Sequence, residues 1–290
     1  MSDFLKALHS GKVLLMDGAM GTELQRAGIG EGECYELWNL THPEKVRAIH
    51  RSYVFAGAEC LLTNTFQANR CSLAKHGLQE KLDEINEAGV GIARSAAGVK
   101  HFVLGDIGPD ESGFSDEDFS RIIRSLQFAD ALLLETWHDP SAVLFLLKAR
   151  DQKAIPDEIP ILLSFTYRRN LVPGVPPFVG DPRAMASGVN CCGIAALGVN
   201  CGRDLDMDDI IHIVKKYRAV TDLPLFVRPN AGTPKRVGNQ WEYPITPAMM
   251  AARLPELLEA GVSMVGGCCG TTPEHIAAFR PIIDKWNARK

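Results

Sequence analysis

Apolar residues gather in eight short runs, at 13–17, 59–63, 102–105, 131–135, 161–165, 195–200, 225–229 and 263–266. Each run is four to six residues long and nearly continuously apolar. That is the pattern of a strand buried on both faces, not of one with a solvent side. Between the runs lie segments with apolar positions at helical spacing. The first, 43–56, follows Thr41 as an N-cap, and 82–97 comes next. Then 204–219 carries Ile210, Ile211, Ile213, Val214 and Tyr217, and 247–260 follows Thr246 as a cap and stops at Gly261. Strand then helix, eight times over, predicts an α/β fold: a (β/α)8 TIM barrel forming a single domain over residues 1–290. The competing fold, a doubly wound open sheet, would carry a Gly-rich phosphate turn after its first strand. Asp17-Gly18-Ala19-Met20-Gly21-Thr22 fits neither the dinucleotide nor the Walker pattern. The stretch 170–188, interrupted by prolines and glycines, predicts a long loop after the fifth strand.

Composition narrows the class. Of 290 residues, 46% are hydrophobic and 23% charged, an ordinary globular balance with enough apolar material for a sizeable core. The formal net charge of -4 argues against a nucleic-acid partner, and no basic run suggests a membrane surface. The longest purely apolar stretch, 142–147, is far short of the roughly 20 residues a membrane span needs. Residues 1–6 hold an early acid and no apolar core of a secretory signal, so a cytoplasmic location is expected. Eight cysteines in such a chain are then expected to be free thiols that pack, bind metal or react, not disulfides.

In a barrel of this kind, chemistry sits at the C-terminal ends of the strands. Polar residues fall there on nearly every run. Asp17 follows the first, Thr63-Asn64-Thr65 the second and Asp106 the third; Glu135 ends the fourth and Ser164 lies near the end of the fifth. Asn200-Cys201-Gly202 follows the sixth, Pro229-Asn230-Ala231-Gly232 the seventh, and Gly266-Gly267-Cys268-Cys269-Gly270 the eighth. Strands six and eight are second neighbours around a barrel, so Cys201, Cys268 and Cys269 lie close enough to share one metal ion. Three thiolates select Zn²⁺, and three protein ligands plus one exchangeable position is the count of a catalytic site. Thiolate-rich zinc is a poor generator of hydroxide. It does deprotonate an incoming thiol, whose free pKa is near 8.5, while leaving its sulfur nucleophilic. The chemistry this predicts is thiol alkylation. A metal hydrolase would want histidines at strand ends, and none is there.

The set Asp-Gly-Ala-Met-Gly-Thr (17–22), Thr-Asn-Thr-Phe (63–66), Gly-Asp-Ile-Gly-Pro (105–109), Glu-Thr (135–136), Gly-Val-Asn-Cys (198–201), Pro-Asn-Ala-Gly (229–232) and Gly-Gly-Cys-Cys-Gly-Thr-Thr-Pro-Glu-His (266–275) resembles the zinc-dependent homocysteine S-methyltransferases. Within that family it is most similar to the homocysteine-binding barrel of cobalamin-dependent methionine synthase. The resemblance runs in order along nearly the whole chain. It implies that homocysteine attacks a methyl donor to give methionine. It also implies that Cys201, Cys268 and Cys269 hold the zinc and that Asn230 fills or borders the fourth position. By the same resemblance Glu135 receives the substrate ammonium, and Asp17 orders the Gly18-Ala19-Met20-Gly21-Thr22 loop, whose amides take the carboxylate. Asn64 and Ser164 are further candidate substrate contacts.

The donor is the less determined part. The implied donor is methylcobalamin, free or on a corrinoid protein partner, because the chain has no Asp-x-His-x-x-Gly corrinoid motif of its own. The alternatives are an S-methylmethionine- or betaine-type donor at the same zinc, or a non-catalytic zinc- and homocysteine-binding protein. Trp137, Trp241 and Tyr243 are candidates to face an onium methyl, with rim packing as the plainer expectation. Cys191 and Cys192 imitate the zinc motif at the wrong end of a strand, so packing is expected of them.

Overall fold

The computed structural model describes the chain except residues 111, 112, 140, 154, 157, 171, 173, 191, 238, 239 and 290, together with the side chains at 142 and 240. All eight expected strands form: β1 (Leu14–Leu15), β2 (Cys60–Leu62), β3 (Phe102–Ile107), β4 (Ala131–Trp137), β5 (Ile161–Phe165), β6 (Ala196–Asn200), β7 (Leu225–Arg228) and β8 (Val262–Val265). They pair in parallel, each with its sequence neighbour, and β8 pairs with β1. The remaining seam, between β1 and β2, closes through a Met16–Cys60 bridge. There Glu59 N–H donates to Leu15 O at 2.6 Å and Asp17 N–H to Cys60 O at 2.9 Å.

Strand parity explains the unbroken apolar runs. Leu14, Met16, Leu62, Leu104, Leu133, Leu162, Phe226 and Met264 fill the barrel interior. Their neighbours Leu15, Leu61, Val103, Leu132, Leu163, Val227 and Val265 face the surrounding helices. Both faces are therefore hydrophobic, as a covered parallel sheet requires. The helix Asp3–Leu8 plugs the lower end, with Phe4 packed edge-on against Phe102, the first residue of β3. The plugged lower end leaves the upper end, where the strands finish, to hold the site.

Four local expectations need correction. Thr41 is not a cap: it ends the short helix Trp38–Thr41, and the helix Pro43–Phe55 starts from His42, its phi pre-set by Pro43. The segment 204–219 forms a shorter helix, Met207–Arg218, because Asp206 and Asp209 cap its start reciprocally. The segment 247–260 is two helices, Pro247–Ala252 and Leu254–Glu259, because Pro255 has no N–H to continue the first; Thr246 caps as expected. The 170–188 stretch is not only loop. Phe178–Val179 pairs antiparallel with Arg168–Arg169, and Asp181-Pro182 opens the helix Pro182–Val189. An Asp cap followed by Pro at the first helical position is a start signal that the surrounding prolines obscured.

Candidate functional site: a cysteine cluster beside a buried ion-pair network

Three sulfurs meet at the top of the barrel. Cys201 follows β6, and Cys268 and Cys269 follow β8. The Sγ atoms of Cys201 and Cys269 are 4.0 Å apart, as are those of Cys268 and Cys269, and all three lie within 4.8 Å of one another. They are the one cluster of three candidate metal ligands among the described residues. At a Zn–S distance of about 2.3 Å, tetrahedral geometry places sulfurs about 3.8 Å apart, so the cluster needs little adjustment to close on such an ion. Charge is unevenly shared among them. Hydrogen bonds from Cys268 and Cys269 push the Cys201 thiol down to about 3 against the opposing effect of burial, while the two donors are pushed up. Asn230 borders the cluster. Its Nδ2 donates to Cys201 Sγ at 3.5 Å and to Gly202 O at 3.4 Å, and its Oδ1 is buried with no partner.

Backbone geometry sets this corner. Gly270 has φ +78°, and a Cβ there would run into the Tyr243 ring. Thr271 ties the loop down: its hydroxyl donates to Cys268 O at 2.7 Å and accepts from Ala19 N–H at 3.1 Å. At Gly18 a Cβ would lie 2.8 Å from the Tyr53 ring, whose hydroxyl donates to Ala19 O. The 17–22 loop is thereby seated directly beside the cysteines.

A cavity of about 500 Å³ opens here, and the 17–22 loop, Asn64, Glu135 and all three cysteines line it. On its wall Arg228, the last residue of β7 and fully buried, serves two carboxylates. Its Nη1 donates to Asp17 Oδ1 at 2.8 Å, and its Nε lies 3.2 Å from Glu135 Oε1, close enough to pair but without hydrogen-bond alignment. Leu62 N–H donates to the other oxygen of Asp17 at 2.8 Å. Burial pushes Asp17 up to about 6 and Glu135 up to about 7, with Arg228 opposing both. Asp106, also on the cavity wall, is driven well up by burial and by Glu135, and its Oδ1 has no partner. One guanidinium thus faces two carboxylates that can both ionise near neutral pH. The surplus negative charge sits at Glu135, which suits a cationic ligand group.

Not every expected residue reaches the cavity. Asn64 lines it, but its amide donates to Tyr35 O and Asn39 Oδ1, so its hydrogens are committed within the protein. Ser164 is not among the lining residues; it is fully buried and donates to Asn200 Oδ1 at 2.6 Å. Trp137 packs against Phe114 and Phe145, but in the buried core and not on a rim. Cys192 is buried, and Cys191 lies outside the described residues. Arg228 went unread in the sequence. Its signal was there, a lone charge closing the apolar run 225–227, but its partner Asp17 is 211 positions away.

The family model for homocysteine S-methyltransferase matches residues 14–283. The chain belongs to that family. Methionine synthase of Mycobacterium leprae is 31% identical to this homocysteine S-methyltransferase family member over 99% of the chain, and that of Mycobacterium tuberculosis is also 31% identical, over 95%. The chain spans about a quarter of the length of those two relatives. Among solved structures, the homocysteine methyltransferase MmuM of Escherichia coli superimposes in its oxidized form with a TM-score of 0.75 at 29% identity, covering 96% of this chain and 99% of that one. Its metallated form gives 0.74 at 26% identity. Among the described residues no helix is long and apolar enough to cross a membrane.

Proposed function

We propose that this barrel, acting as one domain over residues 1–290, is a homocysteine S-methyltransferase that forms methionine. The observation that carries the reading is the convergence, on one cavity, of three sulfurs at metal-binding spacing and an ion-pair network with surplus negative charge. An amino acid with a terminal thiol needs both. Cys201, Cys268 and Cys269 would hold Zn²⁺, with Asn230 at or beside the fourth position. The sulfur spacing and the orphaned Asn230 oxygen fit such an ion, and one of the MmuM structures is a metallated form. Zinc held by three thiolates acidifies an incoming thiol and keeps its sulfur nucleophilic.

The protein's own groups orient the substrate. Glu135, whose Oε1 faces Arg228, takes the ammonium with its carboxylate. Arg228 holds Asp17, and Asp17 in turn fixes the seam beside the 17–22 loop. The helix Gly21–Arg26 begins without a side-chain cap, leaving N–H groups at the cavity for the carboxylate. The reaction forms a bond from the substrate sulfur to the methyl carbon. The bond from that carbon to the donor breaks, and its electron pair leaves with the donor.

The proposed donor is methylcobalamin, free or on a corrinoid protein partner, a reading supported by the likeness to methionine synthase. The second reading is a sulfonium or quaternary ammonium donor of the S-methylmethionine or betaine type at the same cysteines, supported by the likeness over nearly its whole length to the MmuM barrel. Three unpaired thiols fit a reducing compartment, the cytoplasm. Incubating the zinc-loaded protein with homocysteine and each donor in turn, with methionine as the readout, tests both readings. Methionine from methylcobalamin alone supports the first, and methionine from an onium donor alone supports the second. No product from any donor, while homocysteine still binds, would leave a binding protein in place of an enzyme.

A further inference from the structure

Two residues of the site stand at backbone angles that L-amino acids with a side chain rarely adopt. Thr136 has φ +67° and Cys201 has φ +53°. For a β-branched residue such as Thr136 this is an outlier that surrounding contacts must impose. The imposition is visible in the pairing of β4 with β5, where the register slips between Leu134 and Trp137: three steps along β4 match two along β5. Glu135 and Thr136 form that bulge, and a bulge re-aims a side chain and leaves a ladder N–H unpaired. The N–H so freed is Thr136's, and it donates to Asn200 Oδ1 at 3.1 Å. The Asn200 Nδ2 donates to Thr136 Oγ1 at 2.7 Å, and Ser164 Oγ donates to the same Asn200 oxygen at 2.6 Å. Asn200 is fully buried and directly precedes Cys201.

We propose that Asn200 is a positioning residue: its carboxamide grips Thr136 at both backbone and hydroxyl, and so fixes the Glu135 carboxylate at a set spacing from the Cys201 sulfur. The inference rests on the proposed function, in which Glu135 takes the substrate ammonium and Cys201 stands where its thiol is received. A rigid spacing between those two points measures the distance from ammonium to thiol. It therefore favours homocysteine over cysteine, which is one methylene shorter.

The test is calorimetric binding of homocysteine and of cysteine to the zinc-loaded protein, with zinc content and melting temperature measured alongside. In Asn200→Ala, homocysteine affinity is expected to fall roughly tenfold, the loss of a buried hydrogen-bonded partner. Preference over cysteine should shrink, and zinc should stay stoichiometric. Adding Thr136→Gly to that variant should restore most of the affinity, since glycine takes a positive φ unaided. If Asn200→Ala does not fold, Thr136→Val, which keeps the branched shape and removes the hydroxyl, should show the same loss in smaller degree. Native affinity in either variant overturns the proposal, as does a loss that glycine at 136 fails to restore. Glu135→Ala separates the two levels: native homocysteine affinity in that variant would overturn the underlying function reading and the inference with it. Weak binding in Glu135→Ala with native binding in Asn200→Ala would overturn the inference alone.

Discussion

Glu135 is held by a guanidinium that it shares with Asp17, and this sharing governs its ionisation. Burial raises its carboxyl to about 7, and Arg228 limits the rise. Because the shift is upward, the protonated, neutral form grows as pH falls through 7, and a neutral carboxyl attracts an ammonium less. Homocysteine affinity is therefore expected to weaken below about pH 7, by up to about tenfold per pH unit, with the dissociation constant read by calorimetry. Glu135→Gln should bind weakly throughout and with a shallower slope; an unchanged slope would assign the titration elsewhere. Glu135→Ala should also weaken binding without releasing metal, since the carboxylate is not in the sulfur cluster. The cysteines behave in the opposite way. Cys201→Ser and Cys269→Ala should each lose zinc while the barrel stays folded, and stoichiometric zinc in both would remove them as ligands.

Among the elements, β7 carries a charge into the barrel top. Its last residue, Arg228, is the one Lys or Arg buried among the described residues, and it is paired at 2.8 Å with Asp17, two residues past β1. Removing one partner of a buried pair strands the others: Asp17 and Glu135 would be left as two uncompensated carboxylates in a low-dielectric wall. Arg228→Met is expected to cost about 3–5 kcal/mol of stability, measured as a lowered denaturant midpoint with an unchanged slope. Combining it with Asp17→Asn should recover part of that loss, because one stranded charge goes too. The element scale is also where sequence reading was least complete. Strand positions followed from apolar runs, a local property. The bulge at Thr136, the split at Pro255 and the ribbon formed by Arg168–Arg169 and Phe178–Val179 each depend on a partner outside the local window or on a turn signal masked by its neighbours.

For the whole molecule, two layers of apolar packing hold the barrel independently of the site. One fills the interior and the other lies between strands and helices, and neither includes Cys201, Cys268 or Cys269. Stability should accordingly not depend on metal for folding itself, in contrast to small zinc modules that unfold when stripped. With zinc at a hundred times its dissociation constant, binding adds about 2.7 kcal/mol. A strong chelator should lower the melting temperature by that linkage and leave the far-ultraviolet circular dichroism at 25 °C unchanged. Unfolding on chelation at 25 °C would show that the sulfur cluster is part of the core.

Read alone, the sequence determined the eight-fold alternation of strand and helix, the polar residues at the strand ends, and Cys201, Cys268 and Cys269 as a set. Each of these is written in a short run of residues or in the order of runs, and chain order dictates neighbours once a parallel barrel closes. The tertiary structure decided the rest. It assigned Arg228 to Asp17 and Glu135, committed the amide hydrogens of Asn64 and the hydroxyl of Ser164 to internal hydrogen bonds, and placed Asn200 across from Thr136. Those partners are distant in sequence, and a buried polar group takes whichever partner the fold brings within reach, because leaving it unpaired costs more than any local preference supplies.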